Sequence, residues 1–281
     1  MLLSYLYVPG DRPDLMAKAV AGDADAVILD LEDGVAPTAR VEAGARVAEM
    51  LTRWGRGSAE PGPRVPIAVR VHPDHLDEHL QMAVRGAAMV YLPKADLDSV
   101  IRCADLLDEI EQCMGLDEQM PLVALVESAQ GLLDAARVAR HERVDGLALG
   151  EADLCAELGI DPSADDVVRQ ALRLPLVIAS AAAGRRGPTG PASTDYTDLE
   201  EYRRSCRELR RLGFVARSAV HPAQVPIINE EFSPDPAAIA HARELVTTFD
   251  AATAAGHGVI VGADGRMIDA AVVRSARRLV E

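Results

Sequence analysis

Seven apolar runs in this chain each end in, or run into, a charged or polar cluster: SYLYVPGDR, AVILDLED, IAVRVHP, MVYLPK, LVALVES, LALGEAD and FVARSAVHP. Between them lie stretches with helical patterning, among them PDLMAKAVAG, PTARVEAGARVAEMLTRW, DHLDEHLQMAVRG and AQGLLDAARVARHE. Strands alternating with helices over short connections imply parallel pairing and right-handed crossovers. Chemistry that recurs at the carboxyl ends of successive strands is the trace of an α/β fold of the (β/α)8 TIM-barrel type, with its site at one rim. The clusters contribute Arg12, Asp30, Glu32, Asp33, Arg70, Lys94, Glu127, Asp153 and His221.

The length of 281 residues suits one barrel of roughly 250 residues with an appendage. We expect the barrel over residues 1–225 and a C-terminal helical and hairpin arm over 226–281. The arm reads as a helix at PAAIAHARELVTTFDAATAAG, a hairpin at GVIVGADGRMID turning at Asp264-Gly265, and a last helix at AAVVRSARRLVE. Two places resist the pattern. GRRGPTGPASTDYTDLEE shows no clear seventh strand, so it holds either a short strand or a rim loop. Pro175 should kink or split the helix ADDVVRQALRLPLVIASAAAG.

The net charge of −15 disfavours nucleic acid and anionic membrane as partners. No apolar run approaches the roughly 20 residues of a membrane helix. MLLSYLYVPG is short and lacks a basic leader, so it reads as a first strand and not a signal peptide, and the expectation is a cytoplasmic protein. Cys103, Cys113, Cys155 and Cys206 show no CxxC spacing, which argues against thiolate metal sites and a disulfide framework. GxSxG, P-loop and GxGxxG signals at a strand–helix turn are all missing.

Glu127 and Asp153 should lie at the ends of neighbouring strands. Two carboxylates completed by water and substrate oxygens form a typical Mg²⁺ site, with Mn²⁺ as a substitute; the other reading is that they cap helices or pair with arginine. Arg70 at a strand end can clamp a substrate carboxylate with two hydrogen bonds, or form an ion pair with Asp30 or Glu32. The acids of DLED should orient Arg12, Arg70, Lys94 and metal-bound water. Lys94 is as well suited to a salt bridge as to substrate contact. Arg12 can hold a phosphate or carboxylate, and His221 reads as a hydrogen-bonded structural residue or a general base.

Taken together, VPGDRPDLMAKA, ADAVILDLEDGVAP, AVRV, YLPK, LVESAQG, GEADL, AVHPAQVPIINEEFSP and GRMID, in that order, resemble the citrate lyase β-subunit family within the HpcH/HpaI aldolase superfamily. The resemblance covers nearly the whole chain. It implies a Mg²⁺-dependent lyase that joins or cleaves a C–C bond between an acyl-CoA thioester and a 2-oxo acid. It places metal ligands at Glu127 and Asp153 and a carboxylate-binding arginine at Arg70. It also implies a homo-oligomer, commonly a trimer, in which Asp269 enters a neighbouring subunit's site as the catalytic acid. Glu32 and Asp33 join Arg70 and Asp269 as catalytic candidates, with Arg12 and Lys94 binding substrate. Other readings are an aldolase acting without CoA, a β subunit that works only inside a citrate lyase complex, and a degenerate binding protein. The sequence departs from the family pattern at His72 (commonly Asn nearby), Ala216-Arg217 (Gly-Lys) and Ala271 (Pro).

Overall fold

The computed structural model describes residues 2–54, 65–161, 166–262 and 265–280. Eight parallel strands close into a barrel in sequence order: β1 (Ser4–Pro9), β2 (Ala26–Asp30), β3 (Ile67–Arg70), β4 (Met89–Leu92), β5 (Leu122–Val126), β6 (Val144–Leu149), β7 (Thr189–Gly190) and β8 (Ala216–Ala219). The helices of this unit are α1 (Pro13–Val20), α2 (Arg40–Trp54), α3 (Leu76–Ala83), α4 (Leu97–Met114), α5 (Ala129–Val138), α6 (Glu151–Leu158), α7 (Asp166–Ala182), α8 (Leu199–Leu212) and α9 (Val225–Phe232).

Period-two alternation divides each strand between two cores. Tyr5, Ala26, Ile28, Ala68, Tyr91, Val123, Leu125, Ala148 and Ala216 form one buried cluster filling the barrel. Leu6, Val8, Val27, Leu29, Val69 and Val90 belong to the larger layer shared with the helices. Continuing the inward phase by one step, from Ile28 to Asp30, Ala68 to Arg70 and Leu125 to Glu127, turns apolar filling into charge at the carboxyl rim. The rim residues are thus the top layer of the barrel interior.

The seventh strand is two residues long. Thr189 pairs with Ala148 on one side and Ala216 on the other. Its glycines permit close approach: a Cβ at Gly187 would stand 2.3 Å from the Gly213 carbonyl oxygen, and one at Gly190 would stand 3.0 Å from Leu209 Cδ1. The composition that hides the strand is what lets the barrel close there.

Pro175 lies inside a single α7 and does not split it. The helix packs along α5 and β6, and that tertiary support outweighs the loss of one backbone donor. The expected start of this helix at Ala164 and Asp165 lies outside the described residues.

The chain divides into units Met1–Phe232 and Ser233–Glu281, not at 225/226. The reason is α9, which packs on β1, β8 and α8 and so belongs to the barrel. The second unit comprises α10 (Pro236–Ala254), the antiparallel pair β9 (Ile260–Val261) and β10 (Met267–Ile268), and α11 (Ala270–Val280). Phe249, Ile268 and Val273 form its small core. The expected turn residue Asp264 lies outside the described residues.

Among the described residues, no helix is long and apolar enough to cross a membrane. The four cysteines are free thiols.

Candidate active site

Asp30 and Arg70 are register partners on adjacent strands, so their side chains emerge side by side. Arg70 donates from Nε and Nη2 to the two Asp30 oxygens, each at 2.7 Å. Asp30 is fixed in turn by the backbone N–H groups of Glu32 and Gly34, both at 2.9 Å. A Cβ at position 34 would fall 2.2 Å from Asp30 Oδ2, so the glycine of DLEDG makes room for the carboxylate. Arg70 Nη1 faces Glu32 Oε2 at 2.9 Å. Burial opposes the Arg70 charge, but the hydrogen bonds and field of Asp30, helped by Tyr7 and Glu32, hold it firmly protonated. The ion-pair reading of Arg70 therefore describes its geometry. Two of its five N–H donors are spent on Asp30, and donors at the Nη1–Nη2 edge remain beside the cavity.

Glu32 is 1% exposed. Despite the facing arginine, neither of its oxygens accepts a hydrogen bond of good geometry. Burial raises its pKa, against the lowering field of Arg70. Lys94 Nζ lies 3.7 Å from Glu32 Oε1 with its own side chain 61% exposed. The Lys94 backbone is left-handed, at φ 51°, a strained state for a residue with a side chain. That conformation directs its N–H to Glu127 Oε1 at 2.7 Å.

Glu127 is 3% exposed. Desolvation, then the nearby Glu32 and further Asp153, push its pKa up to about 8, against the Lys94 N–H and Arg70. Asp153 is exposed in the first turn of α6. Gly150 completes this side, since a Cβ there would stand 2.4 Å from Glu127 Cβ and 2.5 Å from its Oε2.

Glu127, Asp153, Asp30, Asp33 and Arg70 line one rim cavity of about 400 Å³. Sequence reasoning overlooked Tyr7, whose ring lies under the Arg70 guanidinium at 4.9 Å and lines the same cavity. Burial raises its phenol pKa, so it stays protonated. An apolar groove of about 410 Å³ runs between α1 and α9 and shares Tyr7, Pro9 and Val220 with the cavity.

The remaining candidates are engaged by partners of their own. Arg12 pairs with Asp14 at 3.3 Å and does not line the cavity. His221 accepts the Ala223 N–H and stacks on Tyr196 at 4.8 Å, which fits the structural reading. Asp269, in the second unit, accepts the N–H groups of Ala271 and Val272 at 2.9 and 3.1 Å, and these bonds lower its pKa. Arg217 is buried, donating to the Pro191 carbonyl and Ser205 Oγ. His72 is buried and gives its N–H to His79.

A closed eight-stranded barrel with carboxylates and an arginine converging on its carboxyl rim defines a TIM-barrel protein with an enzyme-like site. Residues 3–222 match the HpcH/HpaI aldolase/citrate lyase family, and the chain belongs to it. It is 32% identical to a (3S)-malyl-CoA thioesterase of Cereibacter sphaeroides, over 98% of this chain and 92% of that protein. It is 29% identical to an L-malyl-CoA/beta-methylmalyl-CoA lyase of the same species, with the same coverage. Among solved structures, it is similar to protein CitE from Mycobacterium tuberculosis in complex with magnesium, acetoacetate and coenzyme A. That match has TM-score 0.75, 27% identity and coverage of 99% and 97%. A citrate lyase from Burkholderia xenovorans shares the fold at TM-score 0.83 and 23% identity, over 100% and 91% of the two chains.

Proposed function

We propose that this chain is a Mg²⁺-dependent carbon–carbon lyase. It cleaves, or forms, a 3-hydroxyacyl-CoA of the malyl, citramalyl or citryl type, giving an acyl-CoA and a 2-oxo acid. The observation that carries this reading is the single cavity onto which Glu127, Asp153 and Arg70 all open. The names of the malyl-CoA lyase relative and of the CitE complex support the substrate class.

The donor set fits Mg²⁺. The charges of Glu32 and Asp153 act on Glu127 and are part of what raises its pKa, a repulsion a bound cation would relieve. Among the described residues, no group of three or more His, Cys, Asp or Glu is placed to hold a metal ion. Mg²⁺ needs none, because it keeps much of its water and takes one or two carboxylates. Glu127 and Asp153 would hold it. When bound, it supplies Lewis-acid polarisation of substrate oxygens.

The side chains supply the rest. The Nη1–Nη2 edge of Arg70 clamps the carboxylate of the 2-oxo acid half, while Asp30 keeps the guanidinium aimed. Glu32 and Asp33 orient Arg70, Lys94 and water around the substrate hydroxyl. As the C–C bond breaks, the hydroxyl proton leaves to water and the bonding pair moves onto the thioester α-carbon. Asp269 of a neighbouring subunit returns a proton to that carbon; in the condensing direction it is the base. Its two N–H partners favour the carboxylate form, the state of the base in the condensing direction, and one of them, from Ala271, is a donor that proline would lack. The apolar groove beside Tyr7 takes the thioester arm, with Lys18 at its edge and Arg12 on the adjoining loop. This mechanism requires a homo-oligomer, which we take to be a homotrimer acting in the cytoplasm.

A second reading is thioester hydrolysis, favoured by the thioesterase relative. Metal removal tests the proposal. Chelator should abolish C–C cleavage and Mg²⁺ or Mn²⁺ restore it. A Glu127→Gln, Asp153→Asn double variant that stays fully active would sink the metal assignment.

A further inference from the structure

A cluster of nitrogen donors on the outer wall of the barrel plays no part in the rim chemistry. Between α2 and α3 lies a cleft of about 220 Å³, lined by Arg40, Ala45, His75, Glu78 and His79 among others. On the α2 side, Gly44, Ala45 and Ala48 are small, which leaves the space open.

Arg40 begins α2. Among the described residues it has no carboxylate partner, and its Nε is shielded from water with no acceptor. His79 is 5% exposed. Its Nδ1 accepts the His72 backbone N–H at 3.0 Å, so the ring proton of the neutral imidazole sits on Nε2. Nε2 turns towards α2, where a Cβ placed at Gly44 would stand 3.9 Å away, and no described residue accepts from it. The His75 ring lies 5.7 Å from the His79 ring. Glu78 is the cleft's one carboxylate; its side chain is 80% exposed and faces His75 at 3.7 Å.

Shielded donors without acceptors are unfavourable in a folded protein and call for a partner. Here Arg40 Nε is such a donor, and His79 Nε2 on the adjacent helix, which donates to no described residue, borders the same space. The cleft is smaller than the roughly 300–1,000 Å³ of a typical organic-ligand pocket. It has room for several waters at roughly 30 Å³ each, which is the scale of a small hydrated ion. A guanidinium presents paired N–H groups matched to two oxygens of one anion, and the imidazole adds a third donor. We propose that this cleft binds a tetrahedral oxyanion, either free phosphate or the phosphate group of a larger metabolite, through Arg40 and His79 Nε2.

The test is a titration of the full chain with inorganic phosphate, in phosphate-free buffer at constant ionic strength, followed by long-range ¹H–¹⁵N spectra of the imidazoles. The expected result is a saturable shift at His79 Nε2. Arg40→Gln should weaken binding at least tenfold. Ala45→Glu, a change at an exposed position that sets a carboxylate beside the cleft, should do the same with unchanged folding. His79→Asn keeps an acceptor for the His72 N–H but removes the Nε2 donor, and should also lose binding. Coenzyme A with and without its 3′-phosphate forms the second arm. A His79 shift with the phosphorylated form alone assigns the site to a tethered phosphate; a shift with neither assigns it to the free anion. No saturable shift at His79, or one that Arg40→Gln and Ala45→Glu both leave intact, overturns the proposal.

Discussion

Replacing Gly150 by alanine should disable the site without touching a charged residue. The backbone there, at φ −95° and ψ 73°, remains on the negative-φ side that alanine tolerates, so the effect is steric. The new methyl carbon would stand 2.4 Å from Glu127 Cβ and 2.5 Å from Oε2, against a normal carbon contact of about 3.5–4.0 Å. Rotating the carboxylate relieves the second clash but not the first, because Cβ is fixed to the backbone. The ends of β5 and β6 must therefore separate by about 1 Å, a strain of about 1–3 kcal/mol for an overpacked site. The same displacement stretches the Lys94 N–H bond to Glu127, now 2.7 Å. A misplacement of about 1 Å typically costs about 10²-fold in turnover. Gly146→Ala is the control, since a Cβ there meets only Arg186 Nε at 3.9 Å. Thermal melts, calorimetric Mg²⁺ titration and steady-state kinetics on both variants decide the matter. Native Mg²⁺ affinity and turnover in Gly150→Ala would refute the claim that this glycine sets the position of Glu127.

Arg70→Lys should lose at least about 10²-fold in turnover while still folding, because an ammonium cannot span both Asp30 oxygens and a substrate carboxylate; near-native kcat and KM would leave Arg70 a structural ion pair only. Asp269→Asn and Glu127→Gln chains should each be inactive but recover part of the activity in mixed oligomers, and no recovery despite proven subunit exchange would remove the shared-site mechanism. His79, held at a pKa of about 4 chiefly by desolvation against an ordinary 6.5, takes up protons more readily when unfolded. Its stabilising contribution is therefore complete above about pH 6.5 and is lost as pH falls towards 4, by up to about 3 kcal/mol. Chemical denaturation across that range should show a slope that flattens in His79→Asn, and an equal slope in both proteins would contradict the assignment.

The barrel was legible because each strand carries its own signal: a short apolar run, then a polar end, then helical periodicity. β7 was not, because a two-residue strand flanked by glycine and proline has no periodicity to read; only its neighbours define it. The division after Phe232 was not readable for a related reason, since the docking of α9 on β1 and β8 is a tertiary fact. At the site, residue types and strand ends were readable, but partners were not. The Asp30–Arg70 pairing follows from strand register across 40 positions of sequence. Part of the missing signal was nonetheless present. Asp30, Arg70 and Glu127 each lie two residues past an inward-facing apolar residue, and Tyr7 shares that phase with Tyr5. Gly34 and Gly150 are glycines because the Asp30 and Glu127 side chains occupy the space a Cβ would need.

The central claim is best tested by the products of one reaction. Purified chain is incubated with Mg²⁺ and malyl-CoA, and the mixture is separated chromatographically over time. A carbon–carbon lyase should give acetyl-CoA and the 2-oxo acid glyoxylate in equal amounts, with the thioester intact and no reaction in chelator. Release of free coenzyme A and malate, without glyoxylate, would contradict the lyase reading and assign the site to thioester hydrolysis.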